Sequence, residues 1–272
     1  MNYEFGLRGH DIADNFEDMC KKAREAGINK LQFAMAKTMS DINFDELGYN
    51  PDLSAKVKEK LLEYNLHVSV LGCYINPVAK DKDFLNAQLT RFKYFLYYAK
   101  DFCADVIGTE TGGGSVEDSR SEERYRYFIN NMLPIIREAE RIGVIVGIEP
   151  VYNGTIYSPQ RMKRMLDEVN SPALGVILDI SNLTSAETRY MQRNMINDSF
   201  DLFGDRIKAI HLKDFSFSED KKTFAVAGTG ELLTELIFDR VSRLSNIPEI
   251  ILDETPLSLY EKSIFSLKRK NG

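Results

Sequence analysis

Short apolar runs along this chain stop abruptly on polar residues, and amphipathic stretches separate them. Val144–Ile148 ends at Glu149, and Gly175–Leu178 ends at Asp179. Ile207-Lys208-Ala209-Ile210 ends at His211, and Ile250-Ile251-Leu252 ends at Asp253-Glu254. Between the first two runs, Ser158-Pro159 reads as an N-cap followed by proline at the first helical position. Met162, Met165, Leu166 and Val169 then recur at helical spacing. A buried strand, a helix and a second buried strand make a βαβ unit. Parallel strands in such units are covered on both faces, so their apolar runs are continuous rather than alternating.

The same grammar runs back to the start of the chain. Tyr3–Leu7 predicts a first strand that delivers Arg8, His10 and Asp11, with a helix following to about Ala26 and ending at Gly27. Lys30–Met35 predicts the second strand, leading to Lys37, and Pro51 opens a helix faced by Leu53, Val57 and Leu61. Val68–Leu71 and Asp105–Gly108 predict strands three and four, the latter ending near Glu110. Helices striped by Leu85, Leu89, Phe92, Leu96 and Ala99, and by Phe128, Met132, Ile135, Ala139 and Ile142, follow them. A sixth helix is predicted over about Ala186–Phe203. Leu233, Ile237, Val241 and Leu244 stripe a seventh, and Tyr260, Ile264 and Leu267 face a closing one. Eight strand–helix alternations, with right-handed crossovers, close into a (β/α)8 TIM barrel, a single domain over residues 1–272. The alternative, an open doubly wound sheet, would normally carry a G-x-G-x-x-G turn after its first strand, and the chain has none there.

Composition fits this class. The 272 residues match one barrel of ~250 residues, and 43% are hydrophobic, enough for a sizeable core. A formal net charge of −6 argues against a nucleic-acid partner. Cys20, Cys73 and Cys103 form no CxxC pair and read as small core residues in a reducing compartment. The opening MNYEFGLRGHD lacks a basic segment followed by an apolar core, so no signal peptide is expected. No apolar run approaches ~20 residues, so no membrane span is expected either. A cytoplasmic protein, free or as a dimer or tetramer, is the resulting expectation.

In such a barrel the C-terminal strand ends converge on one mouth. Glu149, Asp179, His211 and either Asp253 or Glu254 would then surround one point. Carboxylates packed together without a cation repel one another and suffer desolvation. A divalent ion resolves this, and carboxylates with one imidazole suit Mn²⁺ best, with Co²⁺, Zn²⁺ or Mg²⁺ as alternatives. His10, Lys37 and Glu110 stand at the ends of strands one, two and four, where they can hold a substrate. Tyr74 reads equally as core or as a substrate platform, and His67 precedes strand three as a structural residue. Gly228-Thr229-Gly230-Glu231 has the look of an anion-gripping turn.

The segments GIEP (147–150), LDISNL (178–183), IHLKD (210–214) and LDET (252–255) resemble the sugar phosphate isomerase/epimerase family of xylose isomerase-like barrels. VSVLGCYINP (68–77) and GTETG (108–112) extend the likeness over essentially the whole chain. The resemblance implies one divalent metal held by Glu149, Asp179, His211 and a strand-eight acid, with Glu254 favoured over Asp253. It also implies that Glu149 and Glu254 move protons on a small sugar, sugar phosphate or sugar acid through a metal-bound enediolate. Asn182 and Lys213 join His10, Lys37 and Glu110 as candidate substrate contacts. Epimerases of the group usually carry His where this chain has Asn182, and several carry a second Glu shortly after Glu-Pro, a segment that here reads Val151–Thr155. Epimerisation, isomerisation and dehydration of a sugar acid or inosose all remain open on these residues, as does a barrel that only binds sugar. A multi-zinc endonuclease on the same scaffold would need more than the three histidines present.

Overall fold

In a computed structural model that describes residues 3–271, eight parallel strands close into a barrel. In chain order these strands are β1 (Gly6–Arg8), β2 (Lys30–Phe33), β3 (His67–Gly72), β4 (Val106–Glu110), β5 (Val146–Glu149), β6 (Leu174–Leu178) and β7 (Ile207–Leu212). A two-stranded antiparallel hairpin, β8 (Phe215–Ser218) and β9 (Lys221–Phe224), follows β7, and β10 (Glu249–Leu252) closes the barrel between β7 and β1. The long outer helices are α1 (Phe16–Glu25), α2 (Pro51–Glu63), α3 (Lys82–Asp101), α4 (Glu122–Ile142), α5 (Pro159–Val169), α6 (Gln192–Phe203), α7 (Thr234–Val241) and α8 (Tyr260–Asn271). Short helices at Gly9–Ile12, Met35–Thr38 and Ile180–Leu183 directly follow β1, β2 and the Asp179 end of β6. Among the described residues, no helix is long and apolar enough to cross a membrane.

The helix starts are set locally. Asn15, Asn50, Asp81, Ser121 and Ser158 each accept a backbone N–H in the first turn of α1 to α5. Gly143 and Asn170, both left-handed, end α4 and α5. The predicted start of α6 at Ala186 is not realised. Ser185 and Thr188 exchange hydroxyl-to-backbone hydrogen bonds at 2.8 and 3.2 Å, which hold a turn there instead.

Alternation along each strand divides the core. Val146, Ile148, Val176, Leu178, Ile210, Ile250 and Leu252 face outward into the shell shared with the helices. Val70, Val106, Ile177, Ala209 and Ile251 fill the barrel's middle. Below them, Glu249 accepts from Lys30 Nζ at 3.0 Å and Ser69 Oγ at 2.6 Å. Gly108 and Gly147 are needed in this layer, because a Cβ there would meet Ile177 side-chain carbons at 2.5 and 2.9 Å. At the opposite, N-terminal face, His67 pairs with Asp105 at 2.5 Å. Cys20 and Cys73 are buried as expected, whereas Cys103 is exposed on a left-handed residue after α3.

The Gly228–Glu231 turn has a different role from the one its sequence suggests. Its backbone N–H groups are already taken by the Asp214 carboxylate, which accepts from Gly228 and Gly230 at 2.9 Å and from Leu232 at 3.0 Å. The same carboxylate accepts from Phe215 N at 2.8 Å, tying the end of β7 to the loop beyond the hairpin. Asp214→Ala strands four backbone donors, and about 3 kcal/mol or more of stability should be lost in urea unfolding. Asp214→Asn, which keeps one acceptor oxygen, should lose less. A loss below roughly 0.5 kcal/mol for the alanine variant would mean that water satisfies the turn equally well.

Candidate functional site

Inward parity carries straight through to the strand ends. Gly147, Ile177, Ala209 and Ile251 face the barrel interior, so two residues later Glu149, Asp179, His211 and Asp253 do too. Glu149, Asp179 and His211 are all buried, and each offers a ligand atom within 4.8 Å of the others. His211 Nδ1 lies 3.4 Å from Glu149 Oε1 and 3.9 Å from Asp253 Oδ2. Both ring nitrogens of His211, and Oδ2 of Asp179, are buried without a hydrogen-bond partner. Unsatisfied buried polar atoms of this kind are rare without a ligand or water to meet them. Two carboxylates and an imidazole converging with free lone pairs fit a divalent first-row ion or Mg²⁺.

The two candidate acids at the end of β10 stand in different surroundings. Asp253 is 5% exposed and points inward, where Arg8 Nη1 approaches it to 2.5 Å and Lys213 Nζ to 3.1 Å. Glu254, expected to be the ligand, turns out of the barrel on a left-handed backbone (φ 49°) and meets Arg8 at 3.1 Å from the rim. The signal that could have decided between them is polar spacing. Glu249 and Asp253 are both acids at interior positions of β10, with Ile251 between.

The charges around the triad act unequally. Burial alone would lower the pKa of His211, but Glu149, then Asp253 and Asp179, outweigh it and push it up to about 9. Burial raises Asp179 to about 6 despite the partial offset of Lys213, whose ammonium lies 3.4 Å away. Asp253 goes the other way. Burial would raise it, but His211, Lys213 and Arg8 together hold it at about 2. Glu149 accepts a 2.6 Å hydrogen bond from Asn182 Nδ2, and the backbone N–H of Asn182 in turn caps onto Asp179 at 3.0 Å.

Above the triad opens a cleft of about 260 Å³. His10, Lys37, Glu110, Asn182 and Lys213, the substrate contacts expected from the sequence, all line it, as do Tyr74 and Glu254. Glu110 stands beside Glu149 in register, and desolvation followed by the Glu149 charge raises its carboxyl. Arg8 and Gln32 also line the cleft and were not singled out by sequence reasoning. Arg8 follows an apolar strand as any surface arginine could, and Gln32 sits within one. The β8–β9 hairpin, likewise unforeseen, braces this wall. Lys222 Nζ donates to Ser181 O at 2.5 Å and Thr184 O at 3.1 Å, and packs 4.4 Å from the Phe215 ring centre.

Comparison with known proteins bears on the fold and the family. No curated protein matches the chain in sequence. Among solved structures, a D-tagatose 3-epimerase-like protein superposes with TM-score 0.80 at 14% identity, over 98% of this chain and 97% of that one. The probable 3-DHS dehydratase AsbF of Bacillus anthracis does so with TM-score 0.76 at 14% identity, over 98% and 99%. A xylose isomerase-like TIM barrel protein from Mycobacterium smegmatis, solved in complex with magnesium, gives TM-score 0.75 at 12% identity, over 99% and 97%. At these identities the likeness establishes the fold. The family model described as xylose isomerase-like TIM barrel matches residues 20–264, and the chain therefore belongs to the xylose isomerase-like TIM-barrel family.

Proposed function

We propose that this protein is a divalent-metal-dependent isomerase or epimerase of a small sugar or sugar acid, working by proton transfer at the carbon next to a carbonyl. The observation that carries the reading is the buried convergence of Glu149, Asp179 and His211, with their free polar atoms, beneath a small polar cleft. These three residues would hold the ion, with Asp253 rather than Glu254 as the fourth residue beside it. Bound there, a divalent cation supplies Lewis acidity that makes the neighbouring C–H more acidic.

The chain's own residues divide the remaining work. Glu149 is the proton acceptor, oriented by Asn182. Asp253 is a poor base while Arg8 and Lys213 hold it ionised, so it serves to fix Lys213 over the cleft. The Lys213 ammonium, raised well above the ordinary lysine value by Asp179 and Asp253 against its burial, stays charged and can steady a developing oxyanion. Glu110, whose carboxyl is raised by burial and then by the Glu149 charge beside it, is the candidate for returning a proton. Dehydration is the second reading. It draws on the same proton removal, with Lys213 near enough to assist a departing hydroxyl, and the AsbF-like fold favours keeping it.

Metal binding tests the site directly. Titration with Mn²⁺ should show a single tight ion per chain, and His211→Ala should weaken it by about 100-fold or more. Asp253→Asn should weaken it by roughly tenfold, while Glu254→Gln should leave it within about twofold. Equal retention of the ion by the wild type and the His211 variant would remove the metal from the site.

Catalysis is tested by isotope exchange. A panel of ketoses, aldoses and sugar acids incubated with Mn²⁺ in D₂O should include a compound that takes up deuterium next to its carbonyl. Glu149→Gln should cut that uptake by roughly 10²–10⁴-fold. Loss of water in place of simple exchange would select the dehydratase. A bound ion with no exchange on any member would make this a sugar-binding barrel without catalysis.

A further inference from the structure

The cleft spends almost all of its positive charge on its own acids. Arg8 clamps Asp11 through Nε and Nη2, at 2.7 and 2.8 Å, and uses Nη1 for Asp253 and Glu254. Lys213 bridges Asp179 and Asp253. Lys37 is the exception: among the described residues it forms no ion pair with any carboxylate. Its ammonium stands 3.5 Å from Nε2 of His10 and 5.9 Å from the centre of the Tyr74 ring. His10 supplies no charge to it. Burial, then the cations Arg8 and Lys37, lower its pKa to about 4, so its imidazole is neutral at ordinary pH. One ammonium N–H reaches an imidazole lone pair, and the others remain free at the cleft wall.

Position gives this free cation its meaning. Around the barrel the strands run β1-β10-β7-β6-β5-β4-β3-β2, which sets β2 diametrically across from β6. Lys37, on the short helix after β2, therefore stands across the mouth from Asp179 at the end of β6. A small molecule with its carbonyl end over the triad would present its far end to Lys37.

We propose that the substrate is a sugar acid, bound with its carboxylate on Lys37, beside His10, and its reacting carbonyl end above Glu149, Asp179 and His211. A carboxylate matches in charge the one cation of the cleft that is uncommitted among the described residues. A phosphate would bring up to two negative charges into a cleft walled by Glu110, Glu149, Asp253 and Glu254, with the same single counter-charge. The backbone turn that could have cradled a phosphate, Gly228–Glu231, is filled by Asp214. A neutral ketose could offer Lys37 hydroxyl acceptors but no charge to match its own. This assignment rests on the proton-transfer reading only for which end of the substrate reacts.

The experiment is calorimetric binding of three unreactive probes with one carbon skeleton: gluconate, glucitol and glucitol 6-phosphate, each with and without Mn²⁺. Gluconate should bind about tenfold or more tightly than glucitol. Lys37→Met should abolish that preference and Lys37→Arg should keep most of it, with both variants melting at the wild-type temperature because Lys37 is exposed. Equal binding of gluconate and glucitol, or no binding of gluconate, overturns the proposal. So does a preference that requires Mn²⁺ and ignores Lys37, which would put the carboxylate on the triad. Tighter binding of glucitol 6-phosphate would reassign the subsite to phosphorylated sugars. The two readings fail separately. Lys37-dependent acid binding without any deuterium exchange would sink only the catalytic reading. Exchange on neutral ketoses but not on acids would sink only this one.

Discussion

Mutual repulsion among buried carboxylates at one end of the barrel is the constraint on which the rest of this site depends. Strand alternation delivers Glu149, Asp179 and Asp253 to the same interior face, where little water can screen them. The chain offsets part of that repulsion with its own cations. Arg8 and Lys213 commit themselves to Asp253, and Lys213 also leans on Asp179. Nothing comparable meets Glu149 and His211, which face each other with only Asn182 as a neutral neighbour. That is the side where a divalent cation could take the place of the His211 proton. Asp253, 3.9 Å from His211, is partly spoken for.

Much of the fold could be read from the chain because a parallel barrel writes itself in two repeating signs. Continuous apolar runs of four or five residues mark strands buried on both faces, and helical stripes begun by Asn, Asp or Ser caps mark the crossovers. The abrupt acids and histidine at the ends of β5, β6 and β7 pointed to the candidate site for the same reason, since an ionisable residue terminating a buried run has little other business there. Strand parity was harder. Ile250, Ile251 and Leu252 are apolar on both faces, so the run itself does not say whether Asp253 or Glu254 turns inward. The inward Glu249 carried that information, but only once its contacts with Lys30 and Ser69 were visible.

Other features were hidden because they depend on tertiary partners. The hairpin from Phe215 to Phe224 lies where a βα loop was expected, and its alternation is too short to stand apart from loop sequence. The Gly228–Glu231 turn looks like a vacant nest of N–H groups until Asp214, fourteen residues before Gly228, is seen inside it. Arg8 carries no motif, yet it gathers Asp11, Asp253 and Glu254 and so fixes how β1 and β10 meet at the mouth.

The hairpin also shows how a segment outside the barrel can bear on the chemistry within it. Lys222 reaches from β9 to the carbonyls of Ser181 and Thr184, at and just beyond the C-terminal turn of the short Ile180–Leu183 helix. A cation there is favourably placed against the carbonyls of a helix end. That helix carries Asn182, which orients Glu149, and its first N–H groups are capped by Asp179. Burial lowers Lys222 to about 8, so its charge is weakest while the hairpin is packed closely around Phe215. Position, rather than contact with substrate, is what Lys222 contributes. One short helix thus joins the hairpin to Glu149 and Asp179.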